Sequence, residues 1–510
     1  MKRILFSCCF LFLAVVSFAQ PSFIKDTLDN YIKEGMKKWD IPGLSIVIVK
    51  DGKVVMMKGY GVKDIKTNAP VDENTLFMIA SNSKLFTATG LAQLEYDKKL
   101  SLDDKITNFF PWYQLYDSTS TALVTVRDML GHHIGTKTFQ GDFTFWNSNL
   151  NGEQIMRKMR LLKPSQNFRQ SYGYCNSCVM TAGKVLEKVS GKTWDQYITD
   201  SILTPLGMST THPLGSTMAQ MQNASKAYTN NFTGKLIELP YDDVDGLAPA
   251  GAIVSNVNDI SHWLLFQLDS GKYNGTRIMP WRVLQRTREM QTIVSSRKSS
   301  YIPQHFYGYG LGIFEGDYNG RQFYEHTGGA DGFVSNVCFV PEENLGISIL
   351  TNNDNQDFFE ALKYQILDAY LGVNYVNRSD EFYQFFKPDL DNTVNEVKGY
   401  EARLKHNKPV LNINDYAGVY SNELYGPINI ELVPVTSISY PGELLIHFNT
   451  SKNLTGRLRY MDNDEWLLTY NNIAYGVFPI KFKIENNKVV SVDIKVNDFL
   501  EYDPYTFIKQ

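Results

Sequence analysis

With 510 residues, 43% of them hydrophobic and 30 each of Tyr and Phe, the chain is long enough to bury more than one core. A net charge of −4 gives no electrostatic reason to bind nucleic acid. After the amino terminus no stretch is long and apolar enough to span a bilayer.

Residues 1–19 read as an export signal. Met1-Lys2-Arg3 precedes an apolar run from Ile4 to Val16, and Ser17-Phe18-Ala19 offers a signal peptidase its small residues before Gln20. The run falls short of the roughly 20 residues an anchor needs. Cys8 and Cys9 lack the context of a lipidated cysteine. The expected product is periplasmic or secreted, begins at Gln20 and keeps Cys175, Cys178 and Cys338, too few for a disulfide scaffold. Cys175 and Cys178 have the spacing of a redox pair or half a zinc site. With no second pair beside them, small buried side chains are the stronger reading.

Leu44–Val49 and Val54–Met57 flank Lys50-Asp51-Gly52-Lys53 and predict a hairpin. A helix is predicted from Ser81-Asn82-Ser83-Lys84 onward, because Leu85, Ala88, Leu91, Ala92 and Leu94 recur at helical spacing. Ser81 or Asn82 is its expected cap, and Ser81 and Lys84 share one face of its first turn. Residues 101–245 read as mainly helical and irregular, with one helix opening at Thr125 and another region in GKVLEKVSGKTWDQYIT. Asn258 or Asp259 is the expected cap of an apolar helix ended by Gly271.

From Tyr307 to Asn352 the period becomes that of strands, at Tyr309–Ile313, Arg321–Glu325, Gly332–Phe339 and Leu345–Leu350. Phe358–Leu371 supplies a final helix. Strands at both ends of a helical insertion describe an α+β domain with a discontinuous sheet, in place of a Rossmann order. Residues 372–410 read as a linker with an amphipathic helix in VNEVKGYEARLKH. Residues 411–510 carry six or more short strands, predicting a small antiparallel barrel or curved sheet.

The chemistry centres on Ser81-Asn82-Ser83-Lys84. Serine alone is a weak nucleophile at neutral pH, and a partly desolvated lysine three residues on can accept its proton. The helix end lowers the cost of negative charge there. So short a motif also arises by chance. Its setting is more specific: FMIASNSKLFTATGLAQL resembles the nucleophile region of the serine beta-lactamase and penicillin-binding protein family, particularly its class C, esterase and D-aminopeptidase members. IPGLSIVIVKDGKVVMMKGYG resembles that family's opening hairpin. LSLDDKITNFFP, SILTPLGMSTT and PAGAIVSNVNDISHWL resemble later segments, in order, between Asp29 and Leu371.

The resemblance implies a beta-lactamase/transpeptidase-like fold over residues 20–371, an antiparallel sheet flanked by helices. It also implies a small β-barrel extension over residues 411–510, marked by Tyr416 to Tyr420, Tyr425-Gly426, Gly442-Glu443-Leu444 and Phe499. Tyr174-Cys175-Asn176 matches the family's second element. Tyr174 would share proton transfer with Lys84, and Asn176 would hold the substrate amide or the lysine. Tyr172 is the rival phenol, less well spaced from Asn176. A phenol's ordinary pKa near 10 requires nearby positive charge if it is to act as a base.

His326-Thr327-Gly328-Gly329 matches the third element. His326 and Thr327 would position substrate, and the N–H groups of Ser81 and Gly329 would form the oxyanion hole. The plain alternative is a buried histidine in a glycine turn. A histidine at this place suits esterase and peptidase relatives better than vigorous beta-lactam hydrolysis. His132-His133-Ile134-Gly135 departs from the family's His-Thr-Ser-Gly and reads as a packed loop rather than a metal site.

The expected protein is therefore an exported serine hydrolase without metal or cofactor, forming an acyl-enzyme on small ester, amide or peptide substrates, including cell-wall-related peptides. A D-stereospecific aminopeptidase, a transpeptidase and an inactive peptide- or glycan-binding protein are the alternatives. A homo-oligomer stays open, and the barrel would serve either to restrict the cleft or to hold such an assembly.

Overall fold

The computed structural model describes residues 20–404, 408–433 and 443–510. The expected export signal and Gly442 lie outside them. Helix α1 is Leu28–Lys38, and β1 (Gly43–Lys50) and β2 (Lys53–Asp64) form the expected hairpin. Asp51 and Gly52 turn it with φ of 51° and 72°, the left-handed pair that a two-residue connection requires. A short β3 (Ala69–Pro70) follows.

The helical insertion is built around α2 (Ser83–Tyr96), α3 (Asn176–Ser190) and α4 (Val257–Leu268). The chain then returns as β4 (Thr292–Ser295), β5 (Tyr307–Tyr309), β6 (Phe314–Tyr318), β7 (Arg321–Ala330), β8 (Phe333–Val340) and β9 (Leu345–Thr351). These strands make one sheet in the order β4-β5-β6-β7-β8-β9-β1-β2-β3, antiparallel throughout. Thus β1 lies between β2 and β9, with Ile46 opposite Ile349.

Alternation along β1 separates two cores. Leu44, Ile46 and Ile48 pack with α1 and α5 (Phe358–Leu371), whereas Val47 and Val49 face the helical insertion. On that second face, Phe86 of α2 stacks on Trp263 of α4 at 4.1 Å between ring centroids. Eleven of the fourteen residues of α2 are buried, so this helix runs through the core.

Several local expectations are corrected. Neither Ser81 nor Asn82 caps α2 through its side chain. Ala80–Asn82 is a tight 3-10 turn, and the Asn82 amide is drawn away to Ile79 O and Ser335 Oγ. Asn256 caps α4 in place of Asn258 or Asp259, because its extended backbone lets the side chain accept from the Asp259 N–H at 2.9 Å. The strand expected at Tyr309–Ile313 is instead a turn between β5 and β6. Gly312 sits there at φ 71°, where a Cβ would lie 2.6 Å from Lys84 O.

The linker helix is also longer than expected. Helix α6 spans Arg378–Ala402 and contains Pro388. Its start, capped by Asn377, packs beside the end of α1, with Tyr383 on Trp39, and its end contributes Val397 and Tyr400 to a cluster with Leu467 and Val477.

Eight strands close the terminal barrel: β10 (Gly418–Asn422), β11 (Gly426–Leu432), β12 (Glu443–Phe448), β13 (Thr455–Tyr460), β14 (Glu465–Tyr470), β15 (Val477–Glu485), β16 (Lys488–Ile494) and β17 (Tyr505–Lys509). The sequence reading lacked β15, disguised by Pro479, and β17, which closes on β10 with Tyr420 opposite Lys509. The barrel docks through backbone bonds such as Asn149 N–H to Thr450 O, 2.8 Å, and Lys452 N–H to Asn147 O, 2.9 Å.

Candidate active site

Ser81 sits where a two-stranded ribbon turns into α2. Phe77–Met78 pairs with Val254–Ser255, and the Ile79 N–H donates to Ile253 O at 2.9 Å. Ala80 then takes φ 45°, a left-handed conformation that a residue with a side chain holds only under constraint. The constraint comes from β7 and β8. Ser335 Oγ donates to Ile79 O at 3.0 Å and accepts from Asn82 Nδ2 at 2.9 Å, and Gly328 lies so close that a Cβ would meet Ile79 O at 2.1 Å. Only glycine lets the sheet come this near the turn.

Lys84, one turn into the helix, is fully buried. Its Nζ lies 2.9 Å from Ser81 Oγ, 2.7 Å from Asn176 Oδ1 and 2.7 Å from Ala250 O. Burial pushes its pKa down to about 7, against smaller upward pulls from Asp142 and Cys175. A neutral amine has two hydrogens and one lone pair. The amide and carbonyl oxygens can only accept, so they take the hydrogens and leave the lone pair facing the serine hydroxyl.

Tyr174 hydrogen-bonds Ser81, and its ring centroid is 4.7 Å from Lys84 Nζ. Despite that neighbour, burial raises the phenol well above its ordinary range, so Tyr174 stays protonated and suits proton donation better than service as a ready base. The rival Tyr172 lies 6.4 Å away between ring centroids, and its hydroxyl finds no partner among the described residues.

His326 is buried beside these groups, and burial with Lys84 nearby lowers its pKa to about 3. It is neutral at any ordinary pH and belongs to a directed chain. The Cys175 N–H donates to His132 Nδ1 at 3.1 Å, which fixes the His132 hydrogen on Nε2, facing Tyr309 Oη at 3.2 Å. Tyr309 Oη then meets His326 Nε2 at 3.1 Å, and His326 Nδ1 meets Thr327 O at 2.5 Å. The His132-His133 loop is packed, as expected from sequence, but His132 has this further part, which its spacing did not reveal. Among the described residues no group of three or more His, Cys, Asp or Glu is arranged to hold a metal ion, and Cys175, Cys178 and Cys338 are buried free thiols.

Ser81, Tyr174, Asn176, His326, Thr327 and Gly329 all border one cavity of about 330 Å³. Restricting the cleft was one role open to the barrel, but which residues form the opposite wall was not legible in the sequence. It comes from the barrel, with Tyr475, Asn497, Phe499, Leu500 and Tyr502, and from Asp142 and Phe139 of the insertion. Phe499 covers Gly329 so closely that a Cβ there would meet its ring at 2.3 Å. Asp142, also unforeseen, accepts from Asn176 Nδ2 at 2.7 Å, which turns the Asn176 oxygen toward Lys84.

A family model described as Beta-lactamase matches residues 28–371. The chain belongs to the beta-lactamase family. Protein flp of Staphylococcus aureus (strain MRSA252) is 27% identical over 354 residues, covering 67% of this chain and 66% of its own, so the match spans just under two thirds of that relative. Unguisins hydrolase ungD of Aspergillus violaceofuscus is 25% identical over 442 residues, covering 79% of this chain and 76% of that one. The octameric penicillin-binding protein homologue from Pyrococcus abyssi superposes with a TM-score of 0.61 at 22% identity, over 94% of this chain and 99% of that structure. That likeness extends the shared fold through the barrel. The beta-lactamase family thus accounts for residues 28–371.

Proposed function

We propose that this beta-lactamase-family protein is an exported serine hydrolase that cleaves small esters and amides through an acyl-enzyme on Ser81. The observation that carries the reading is the buried Lys84 amine, 2.9 Å from Ser81 Oγ and hydrogen-bonded elsewhere only to oxygens that accept. As Oγ attacks the carbonyl carbon, its proton passes to Lys84 Nζ, and the N–H groups of Ser81 and Gly329 receive the oxyanion. The Tyr174 phenol gives a proton to the departing alkoxide or amine and is reprotonated from Lys84. Water then enters and attacks the acyl carbon as its proton passes to the same amine; the bond to Ser81 Oγ breaks, Lys84 returns the proton to Oγ, and the acid leaves. Every step is served by these side chains without a metal.

The cavity suits a short acyl group or a small peptide, since Phe139, Tyr172, Phe314, Phe499 and Tyr502 give it aromatic walls. A peptidase acting on a free amino terminus is the second reading: Asp142 and Asp331 border the same cavity, and burial raises both carboxyl groups, so an ammonium would bind there by drawing off a proton. Rates on p-nitrophenyl acetate against the p-nitroanilides of D- and L-alanine rank the two. The name of the ungD relative supports hydrolysis, and the octamer of the Pyrococcus abyssi homologue supports a homo-oligomer. Residues 1–19 support export to the periplasm or beyond.

Labelling with a fluorophosphonate followed by peptide mapping is expected to find the adduct on Ser81. An adduct elsewhere, or full ester turnover in Ser81→Ala, would sink the assignment; ligand binding without any adduct would favour a binding protein. Phe499→Ala tests the barrel's wall. It is expected to raise kcat/KM for a branched or aromatic acyl ester by about 10-fold relative to the acetate, the scale on which pocket bulk discriminates. An unchanged ratio removes Phe499 from the specificity of the site.

A further inference from the structure

Residues 141–143 face two ways. The Phe143 ring is part of the barrel core, 4.7 Å from Tyr425, 5.3 Å from Tyr505 and 5.9 Å from Phe448 between centroids. One residue earlier, Asp142 is buried on the hydrolase side and accepts from Asn176 Nδ2 at 2.7 Å, while Asn176 Oδ1 accepts from Lys84 Nζ at 2.7 Å.

The backbone on both sides of Asp142 is gripped by one carboxylate. The Gly141 N–H donates to Glu501 Oε1 at 2.9 Å and the Phe143 N–H to Glu501 Oε2 at 3.0 Å. Glu501 belongs to the barrel connection between β16 and β17, is buried, and also accepts from Tyr505 Oη at 2.9 Å. Gly141 holds φ 95°, so the segment enters this grip through a left-handed turn. Two hydrogen bonds to one carboxyl group, charge-assisted when it is ionised, bracket one residue and leave its side chain little freedom of direction.

We propose that Glu501 is a positioning residue for Lys84: through the backbone of Gly141 and Phe143 the barrel fixes the Asp142–Asn176 pair that aims the amine at Ser81. This rests on the reading of Lys84 as the base. The barrel thereby completes the catalytic centre of the preceding domain. If the grip loosens, Asn176 loses its fixed direction and water reaches the amine, relieving the burial that keeps it neutral. The titratable groups facing Lys84 are Asp142, Tyr174, Cys175, His132 and His326, and those facing Glu501 are Asp142, Asp503 and Tyr505. Burial pushes Glu501 itself up to about 7, so the wild-type profile carries both ionisations.

The test is the pH profile of Ser81 labelling by a fluorophosphonate in the full chain. Glu501→Gln keeps the size of the side chain but offers only one acceptor oxygen. It is expected to label about 10-fold more slowly at the plateau, with the midpoint moved up by about 0.5 pH unit or more. Lys137→Ala cuts a different contact of the same interface, the exposed ion pair with Asp503, and is expected to keep the wild-type profile. Glu501→Asp, which withdraws the carboxylate by one methylene, gives the same reading if Glu501→Gln does not fold. A folded variant with the wild-type plateau and midpoint overturns the positioning role alone, as do equal shifts in Lys137→Ala. A wild type that does not label at all overturns both this role and the proposed function.

Discussion

Lys84→Met is expected to slow acylation of Ser81 by about 10³-fold, the weight of a well-placed general base, and to remove the Lys84 limb near pH 7, leaving only the weaker dependence that Glu501 imposes. Methionine fills similar space but has no lone pair to take the serine proton. In the wild type the rate should rise with pH through about 7, because the Lys84 pKa is lowered to that value and only the form above it is a base. Below it, the third hydrogen of the ammonium lies against Ser81 Oγ and blocks transfer. His326 stays neutral down to about pH 3 and the Tyr174 phenol stays protonated, so neither gives this limb; the buried carboxyl groups of Asp142 and Glu501, both raised by burial, are told apart from Lys84 by the Lys84→Met protein.

The substitution also leaves Asn176 Oδ1 and Ala250 O without their donor, at about 1–3 kcal/mol each, partly offset by no longer burying an amine. Rates must therefore be normalised to folded protein, with Ser81→Ala as the floor. A Lys84→Met protein that keeps both the wild-type rate and the full limb near pH 7 would assign the base to another side chain.

The second large effect is steric. Gly328→Ala is expected to cost about 3 kcal/mol of stability and to reduce acylation by about 100-fold in the protein that remains folded. The added Cβ would lie 2.1 Å from Ile79 O and 2.6 Å from Ser335 Oγ, and the first of these is backbone that cannot rotate away. Either β7 retreats from the nucleophile turn, or the turn gives up the constraint that holds Ala80 left-handed. Both move Ser81 relative to the oxyanion donors. Gly399→Ala is the control, since that exposed helical glycine has nothing within 4 Å of an added Cβ. There the change is expected to be neutral or to stabilise by up to about 1 kcal/mol. Thermal melts of both variants and labelling rates of Ser81 decide the matter, and a Gly328→Ala protein equal to wild type on both would refute the close approach.

What the sequence discloses follows from how far apart the partners lie. Ser81 and Lys84 meet because three residues are nearly one helical turn, and Tyr174 and Asn176 share one short segment where α3 begins. The hairpin at Asp51-Gly52 is equally local, needing only two residues that tolerate positive φ. By contrast Asp142, His132, Tyr309 and Glu501 carry no local signature. Each is defined by a partner in another element, as when Glu501 meets amides 358 and 360 positions earlier.

Caps and boundaries failed for a related reason. Asn82 is a good cap by type, but Ser335, 253 positions away, offers its amide a competing bond. Prolines misled in the same manner. Pro388 sits inside α6 and Pro479 inside β15, where tertiary packing overrides the local preference.

The placing of β1 between β2 and β9 has a consequence for how the molecule is made. The first hairpin emerges early in synthesis, yet one edge of its inner strand has no partner until the chain has grown past Leu345. Sequence-distant pairing of this sort gives a high contact order and slow collapse, and until it occurs an apolar edge stands open to aggregation. Chaperone dependence should therefore end only when β9 docks, and a nascent chain truncated before that strand should remain a client.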